Sequence, residues 1–258
     1  MTFDQEWRAR FQRFGSSYEA EHAVSGWSVE GLERRLELFR GLLGGLSIPA
    51  RAHVLELGCG AGTYVRYLSR LGHRAIGVDY AVPSLIRAVT RDPGQSGKYL
   101  AADGYELPFR HGTFDLVVCI GVLQALGEPE RLLREVARAL KPGGILVVEA
   151  LNAVALPAGV RRLREIAARR PARLRFYRVG VVEGWLRRSG LAPRQRAGVY
   201  LAPRRYPRIG RAMGAPVVAR LLESVPGASR LSAHAFWVVA ERGGAAARLE
   251  PVSMEHGR

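Results

Sequence analysis

The stretch His53 to Leu68, read as HVLELGCGAGTYVRYL, limits what this chain can fold into more than any other. An apolar run with β-type spacing (Val54, Leu55, Leu57) meets three alternating glycines, Gly58, Gly60 and Gly62, and helical spacing resumes at Val65 and Leu68. The order is strand, glycine loop, helix. Glycine has no Cβ, so such a loop lets backbone approach a ligand closely, and the helix start behind it offers N–H groups without intrahelical partners. A polar ligand is expected on it.

The next strand, Arg74 to Tyr80, ends in an acid, Asp79, which lies 21 positions after Gly58. An acid about 20 residues beyond the first glycine, at the tip of the second strand, is placed to hold ribose hydroxyls of a nucleotide-like ligand. A helix cap for the segment starting near Val82 is the plainer role for Asp79, but it leaves the spacing a coincidence. A third strand ends at Tyr99 to Asp103, followed by Gly104 and Tyr105. Phe114 to Val122 is almost continuously apolar, as a strand buried on both faces of a parallel sheet must be. Residues 128 to 140 space Leu132, Leu133, Val136 and Leu140 as one helix face, Lys141-Pro142-Gly143-Gly144 stops it, and Ile145 to Glu149 is the fifth strand. Strand and helix alternate throughout, which predicts an α/β fold with a mainly parallel sheet and helices on both faces.

Before this region, Phe3, Trp7, Phe11 and Phe14 recur at helical spacing, and Ser28 is positioned to cap a second helix with Leu32, Leu36, Phe39 and Leu43 on one face and a solvated charged face opposite. Residues 1 to 47 are read as an N-terminal helical lid, and residues 48 to 242 as the main domain. After residue 150 the pattern loosens. A basic helix broken at Pro171 is expected over 157 to 178, a helix over Val179 to Leu191, and closing strands over Ala192 to Leu201 and Ala235 to Ala240. A second basic insert spans 203 to 230, and the tail from 243 to 258 is expected to be disordered.

The 258 residues carry a net charge of +16, but 37 of the 39 basic residues are arginine, a bias that needs no functional demand. Its distribution is more informative: residues 1 to 150 hold 18 basic and 17 acidic groups, residues 151 to 258 hold 21 and 6, so +1 faces +15. No apolar run of about 18 residues and no signal-peptide pattern is present, so a cytoplasmic protein is expected. Cys59 and Cys119 have no metal-ligand spacing; free thiols and no metal are expected.

These residues resemble the class I S-adenosylmethionine-dependent methyltransferases, above all the branch acting on small molecules. Glu56-Leu57-Gly58-Cys59-Gly60-Ala61-Gly62 is similar to that family's acidic glycine loop, Asp79 to its acid after the second strand, and Asp103-Gly104 to its acid after the third. Phe114-Asp115-Leu116-Val117 is similar to its fourth strand, and Lys141 to Leu146 to its turn into the fifth. The order and spacing of these five landmarks, over residues 53 to 150, carry the resemblance. A dinucleotide fold wants GxGxxG, but Thr63 stands at its third glycine position, and Glu56 puts negative charge where a phosphate site would avoid it.

The resemblance implies a Rossmann-like, seven-stranded, mainly parallel sheet and S-adenosylmethionine as cofactor, with S-adenosylhomocysteine as product. It implies that Gly58, Gly60 and Gly62 approach the methionine part, tuned by Glu56. Asp79 would accept from the ribose and Asp103 from the adenine amino group, with Gly104 and Tyr105 flanking the ring and Ile120 and Gly121 lining the floor. Tyr18 is a further candidate for cofactor contact. No spacing singles out a catalytic base among His22, Gln124, Glu149, Asn152 and His234. No Asn-Pro-Pro-aromatic signature follows the fourth strand, which argues against the family's adenine and glutamine nitrogen methylases. The expected activity is O- or C-methylation of a small, lipid-like or acidic acceptor. An RNA methyltransferase gripping with the basic C-terminal part, and a non-catalytic adenosylmethionine-binding module, are the alternatives. Basic amphipathic helices also suit peripheral contact with an anionic membrane, and the oligomeric state is left open.

Overall fold

The computed structural model describes residues 2–156, 174–200 and 231–244, with a few single positions between 157 and 173. Seven strands form one sheet in the order β3-β2-β1-β4-β5-β7-β6. They are β1 (His53–Leu57), β2 (Arg74–Asp79), β3 (Lys98–Ala101), β4 (Phe114–Cys119), β5 (Leu140–Leu151), β6 (Leu191–Val199) and β7 (Ala235–Arg242). Strands β1 to β5 pair in parallel, while β7 runs antiparallel to both β5 and β6. The α/β, mainly parallel architecture expected from the alternating pattern is the one observed. Strand β5 starts earlier than Ile145, because Leu140 already pairs with Phe114 ahead of a register shift.

Apolar runs in the central strands divide by the two-residue period of a strand. Leu55, Leu57, Val117, Cys119, Leu146 and Val148 face one layer, with Leu132, Leu133 and Val136 of α6 (Pro129–Ala139) and Val182 and Leu186 of α7 (Val179–Arg188). Val54, Leu116, Val118, Val147 and Trp237 face the other, with Tyr64, Val65 and Leu68 of α4 (Thr63–Arg70) and Leu85 of α5 (Val82–Thr90). Both cysteines are free and buried in these layers, and burial pushes the Cys59 thiol well above its ordinary range.

Three helices precede the sheet: α1 (Phe3–Ser17), α2 (Glu21–Val24) and α3 (Val29–Leu43). Thr2 and Gln5 form a reciprocal capping box on α1, and the Ser28 hydroxyl accepts the Gly31 N–H at 3.1 Å to start α3. Helix α3 turns Arg35, Phe39 and Leu42 inward, with Leu32, Leu36 and Leu43 only half-buried. Its charged residues are therefore not all a solvated face. Arg35 is 2% exposed and donates to both carboxylate oxygens of Glu149, at 2.7 and 2.8 Å. The expected basic helix over 157 to 178 lies mostly outside the described residues. Its last part is not helical: Tyr177 bridges to Asn152 as an isolated β-pair. The insert over 203 to 230 and the tail beyond Gly244 lie outside the described residues.

Candidate functional site

Parallel strands with helices on both faces leave a crevice at their carboxyl ends, where the chain crosses from one layer to the other. Here a cavity of about 870 Å³, counted out to its open mouth, lies on the ends of β1, β2 and β4 and under α1 and the segment after α2. The ends of β1 and β2 and the segment after β3 bring Gly58, Gly60, Asp79, Tyr80, Asp103, Gly104 and Tyr105 to its wall, and the end of α2 with the segments after it and after β4 bring the apolar Val24, Trp27, Ile120, Val122, Ala125 and Leu126.

The glycine loop is folded back on β2: the N–H groups of Gly58 and Cys59 both donate to the Val78 carbonyl, at 2.8 and 3.0 Å. At Gly58, φ is 69° and a Cβ would stand 2.5 Å from Val122 Cγ2, so only glycine keeps the loop against the cavity wall. Asp79 continues this arrangement. One of its oxygens accepts from Gly60 N at 2.9 Å and the other from Ala81 N at 2.8 Å, and burial raises its carboxyl above the ordinary range. Backbone dipoles alone hold this charge, which suits a group that is to meet neutral hydroxyls.

Asp103 has a different environment. One oxygen accepts from Tyr105 N at 3.0 Å and the other is ion-paired to Arg8 of α1. Against the desolvation of its half-buried position, the Tyr105 N–H and the Arg8 guanidinium hold this carboxyl below the ordinary range. Arg8 also lies over the Tyr80 ring, 5.3 Å from its centroid. One helical turn earlier, Asp4 accepts the Gly127 N–H and the Tyr105 hydroxyl, the latter at 3.2 Å. The Gly127 carbonyl accepts from Arg175 at 2.7 Å, and the Arg175 guanidinium covers the Phe3 ring at 4.4 Å.

The apolar lining is shaped by Trp27. Its indole presses on Gly121, where φ is 79° and a Cβ would run into the ring. Behind it, Arg35 stacks on the indole at 4.5 Å, and Glu149, besides binding Arg35, accepts from Trp237 Nε1 at 2.9 Å.

Of the residues singled out in the sequence, Gly58, Gly60, Asp79, Asp103, Gly104, Tyr105, Ile120 and Gly121 line this cavity. The others lie elsewhere. Glu56 is buried and accepts the Val65 N–H at 2.8 Å, so it ties β1 to the first turn of α4; burial pushes its carboxyl well up despite that bond. Gly62 is the N-cap of α4, in the left-handed region. Tyr18 is 45% exposed, with its ring against Phe14. His22 sits on α2, and Gln124 is buried in a single 3-10 turn (Leu123–Ala125) beside the cavity. Glu149 is spent on Arg35 and Trp237, Asn152 donates to the Ala233 carbonyl at 2.9 Å, and His234 joins the start of β7 to Val199. Asp4, Arg8, Tyr80 and Trp27 were not singled out. In sequence Asp4 and Arg8 form an ordinary i,i+4 pair on the polar side of an amphipathic helix, and only the fold turns that side toward the cavity.

Among the described residues no cluster of three or more His, Cys, Asp or Glu is arranged to hold a metal ion, and no helix is long and apolar enough to cross a membrane.

Residues 55–148 match the family model of a methyltransferase domain. The chain is 30% identical over 195 residues to the ubiquinone biosynthesis O-methyltransferase of Xanthomonas axonopodis pv. citri (strain 306), covering 70% of this chain and 75% of that one. An S-adenosylmethionine-dependent methyltransferase from Mesorhizobium loti shares the fold with a TM-score of 0.58 at 22% identity, over 79% of this chain and 97% of that one. The YcgJ protein from Bacillus subtilis does so with a TM-score of 0.61 at 18% identity, over 81% and 99%.

Proposed function

Because the chain belongs to the class I S-adenosylmethionine-dependent methyltransferases, we propose that it methylates an acidic hydroxyl oxygen of a small, largely apolar acceptor seated against Trp27. The observation that carries this reading is one cavity whose lining combines glycines and the carboxylates Asp79 and Asp103, from the strand ends, with an apolar set around Trp27 and the segment after β4. The residues fit the cofactor. Gly58 stands where a Cβ would collide, and Asp79 is a half-buried carboxylate on the cavity wall whose two oxygens accept from the Gly60 and Ala81 N–H groups.

When bound, S-adenosylmethionine supplies a methyl group on a sulfonium, whose leaving thioether needs no protonation. Asp79 would accept from its ribose hydroxyls and Asp103 from its adenine amino group. The backbone from Gly58 to Gly60 allows close approach of the methionine part. Ile120, Gly121 and Val122 form the floor, and Trp27 and Leu126 hold the acceptor in line while excluding water. Orientation of this kind supplies roughly 7–11 kcal/mol in favourable intramolecular cases.

A strong base beside the apolar lining is not supplied by the described residues. The titratable side chains on the cavity are Asp4, Arg8, Asp79, Tyr80, Asp103 and Tyr105. Burial raises both tyrosines, Tyr105 to about 12, and Asp4 is occupied by Gly127 and Tyr105. An acceptor more acidic than an aliphatic alcohol, a carboxylic acid before a phenol, therefore suits the site best. The O-methyltransferase name of the 30% identical relative supports oxygen over carbon. Described arginines of the C-terminal part are engaged within the fold: Arg196 and Arg187 with Glu183, Arg188 with Glu130, Arg194 with Glu241. The two basic inserts on which an RNA reading would rest lie mostly outside the described residues, so the small acceptor is preferred on the apolar lining around Trp27.

The test is calorimetric binding of S-adenosylhomocysteine, followed by methyl transfer to phenols, carboxylic acids, aliphatic alcohols and RNA. Binding by the wild type, at least tenfold weaker in Asp79→Ala, and labelled product from the first two classes are expected. Absent binding, or product from RNA alone, overturns the reading.

A further inference from the structure

Arg8 sits on the two cavity residues, Asp103 and Tyr80, beside which the reading above puts an adenine ring. Asp103 Oδ1 is already committed to the Tyr105 N–H, so Oδ2 is the oxygen left for a ligand, and Arg8 Nη2 is bonded to it. The same guanidinium lies over the face of Tyr80, and Tyr80, Asp103 and Arg8 all line the cavity. A guanidinium is flat, stacks on aromatic faces and presents N–H groups at its edge. Those are the features by which an aminopurine would use the same two residues.

We propose that Arg8 is an intramolecular stand-in for adenine: α1 fills the adenine slot of the free protein, and the cofactor binds by displacing the guanidinium from Asp103 and Tyr80. This rests on the reading of Asp103 as the adenine acceptor given above. The arrangement suits exchange rather than permanent closure. The Arg8 and Asp103 side chains are 41% and 39% exposed, so the guanidinium swings into water without a desolvation cost. The other ties of α1 do not involve the Arg8 fork: Asp4 accepts from Gly127 and from the Tyr105 hydroxyl, the Tyr80 hydroxyl donates to the Trp7 carbonyl at 3.1 Å, and Arg87 donates to the Gly15 carbonyl at 3.3 Å. They keep the helix at the cavity mouth when Arg8 leaves. Cofactor affinity is thereby set partly by this chain's own side chain, since the population with a free slot scales the apparent dissociation constant.

Calorimetry with S-adenosylhomocysteine and with adenosine tests this on the wild type, Arg8→Met and Asp4→Asn. Methionine keeps the apolar stem and removes the fork; Asp4→Asn weakens the Gly127 latch and leaves Arg8 in place. Arg8→Met should bind both ligands roughly three- to tenfold more tightly, and Asp4→Asn should change binding by less than about twofold. Adenosine is uncharged, so raising salt from about 0.05 to 0.5 M should strengthen its binding to the wild type by screening the displaced ion pair, and leave Arg8→Met unmoved. Equal or weaker binding by Arg8→Met, with the wild type binding normally, overturns the proposal and makes Arg8 part of the cofactor grip. An Asp4→Asn gain as large as that of Arg8→Met overturns it in favour of general opening of α1. If neither wild type nor Arg8→Met binds S-adenosylhomocysteine, the methyltransferase reading itself fails.

Discussion

Arg35 on α3 and Arg8 on α1 each reach from the N-terminal helices to a carboxylate of the sheet region, yet the Arg35 and Glu149 side chains are 3% and 0% exposed, and those of Arg8 and Asp103 41% and 39%. The chemistry is the same and the surroundings differ. In the buried pair both charges have lost water and each is the other's compensation, so neither leaves without stranding its partner. In the half-exposed pair water stands ready to replace either partner. The N-terminal region is therefore two things: α3 is anchored into the sheet through Glu149, and α1 is latched over the cavity by contacts that can be exchanged.

Removing half of the anchor is the largest way to break this contrast. Arg35→Ala should cost about 3–5 kcal/mol in urea unfolding, while the paired change Arg35→Met with Glu149→Gln, which keeps an acceptor for Trp237, should recover most of it. A loss below about 1 kcal/mol would place Arg35 in the same class as Arg8. Next comes the reach of the anchor into the cavity through Trp27, which stacks on Arg35 and presses on Gly121. Gly121→Ala should lose about 1–3 kcal/mol, from its left-handed φ of 79° and from the displaced indole. It should also shift which acceptors are methylated. The smallest effect concerns pH. Asp103 lies below its ordinary value, so its contribution to the latch is complete above about 4 and is lost as pH falls through the lower folded value. Hydrogen exchange of α1 should accelerate there, by an amount matching about 0.2–1 kcal/mol, before that of α3 changes. Simultaneous loosening of both helices would contradict the division.

The same contrast explains which features can be read along the chain. The glycine loop, Asp79 and Asp103 are visible because their place on one cavity follows from local spacing at strand ends, and the apolar runs of β4 and β5 announce burial on both faces. Glu149 reads only as one of several candidate bases, because its partner Arg35 lies 114 positions away on a helix whose charges look solvated. Glu56 looked like part of the ligand site because it adjoins the loop, whereas alternation along β1 sends its side chain back to the start of α4. Trp27 and Arg8 reach the cavity through the docking of whole helices, and no interval in the sequence encodes that docking.

The placement of β7 governs the order of assembly. Strand β6 pairs with β7 and stands at the sheet edge beyond it, and 35 residues separate the end of β6 from the start of β7. As the chain emerges from a ribosome, β1 to β5 can pair side by side as each is made, bringing Gly58, Asp79 and Asp103 together early. Strand β6 must wait for β7 to slide in beside β5. Trp237 arrives with β7, so Glu149 gains its last hydrogen-bond donor only then. Strand order thus lets the ligand-facing half of the sheet pair before its far edge, where β7 is the link between β5 and β6.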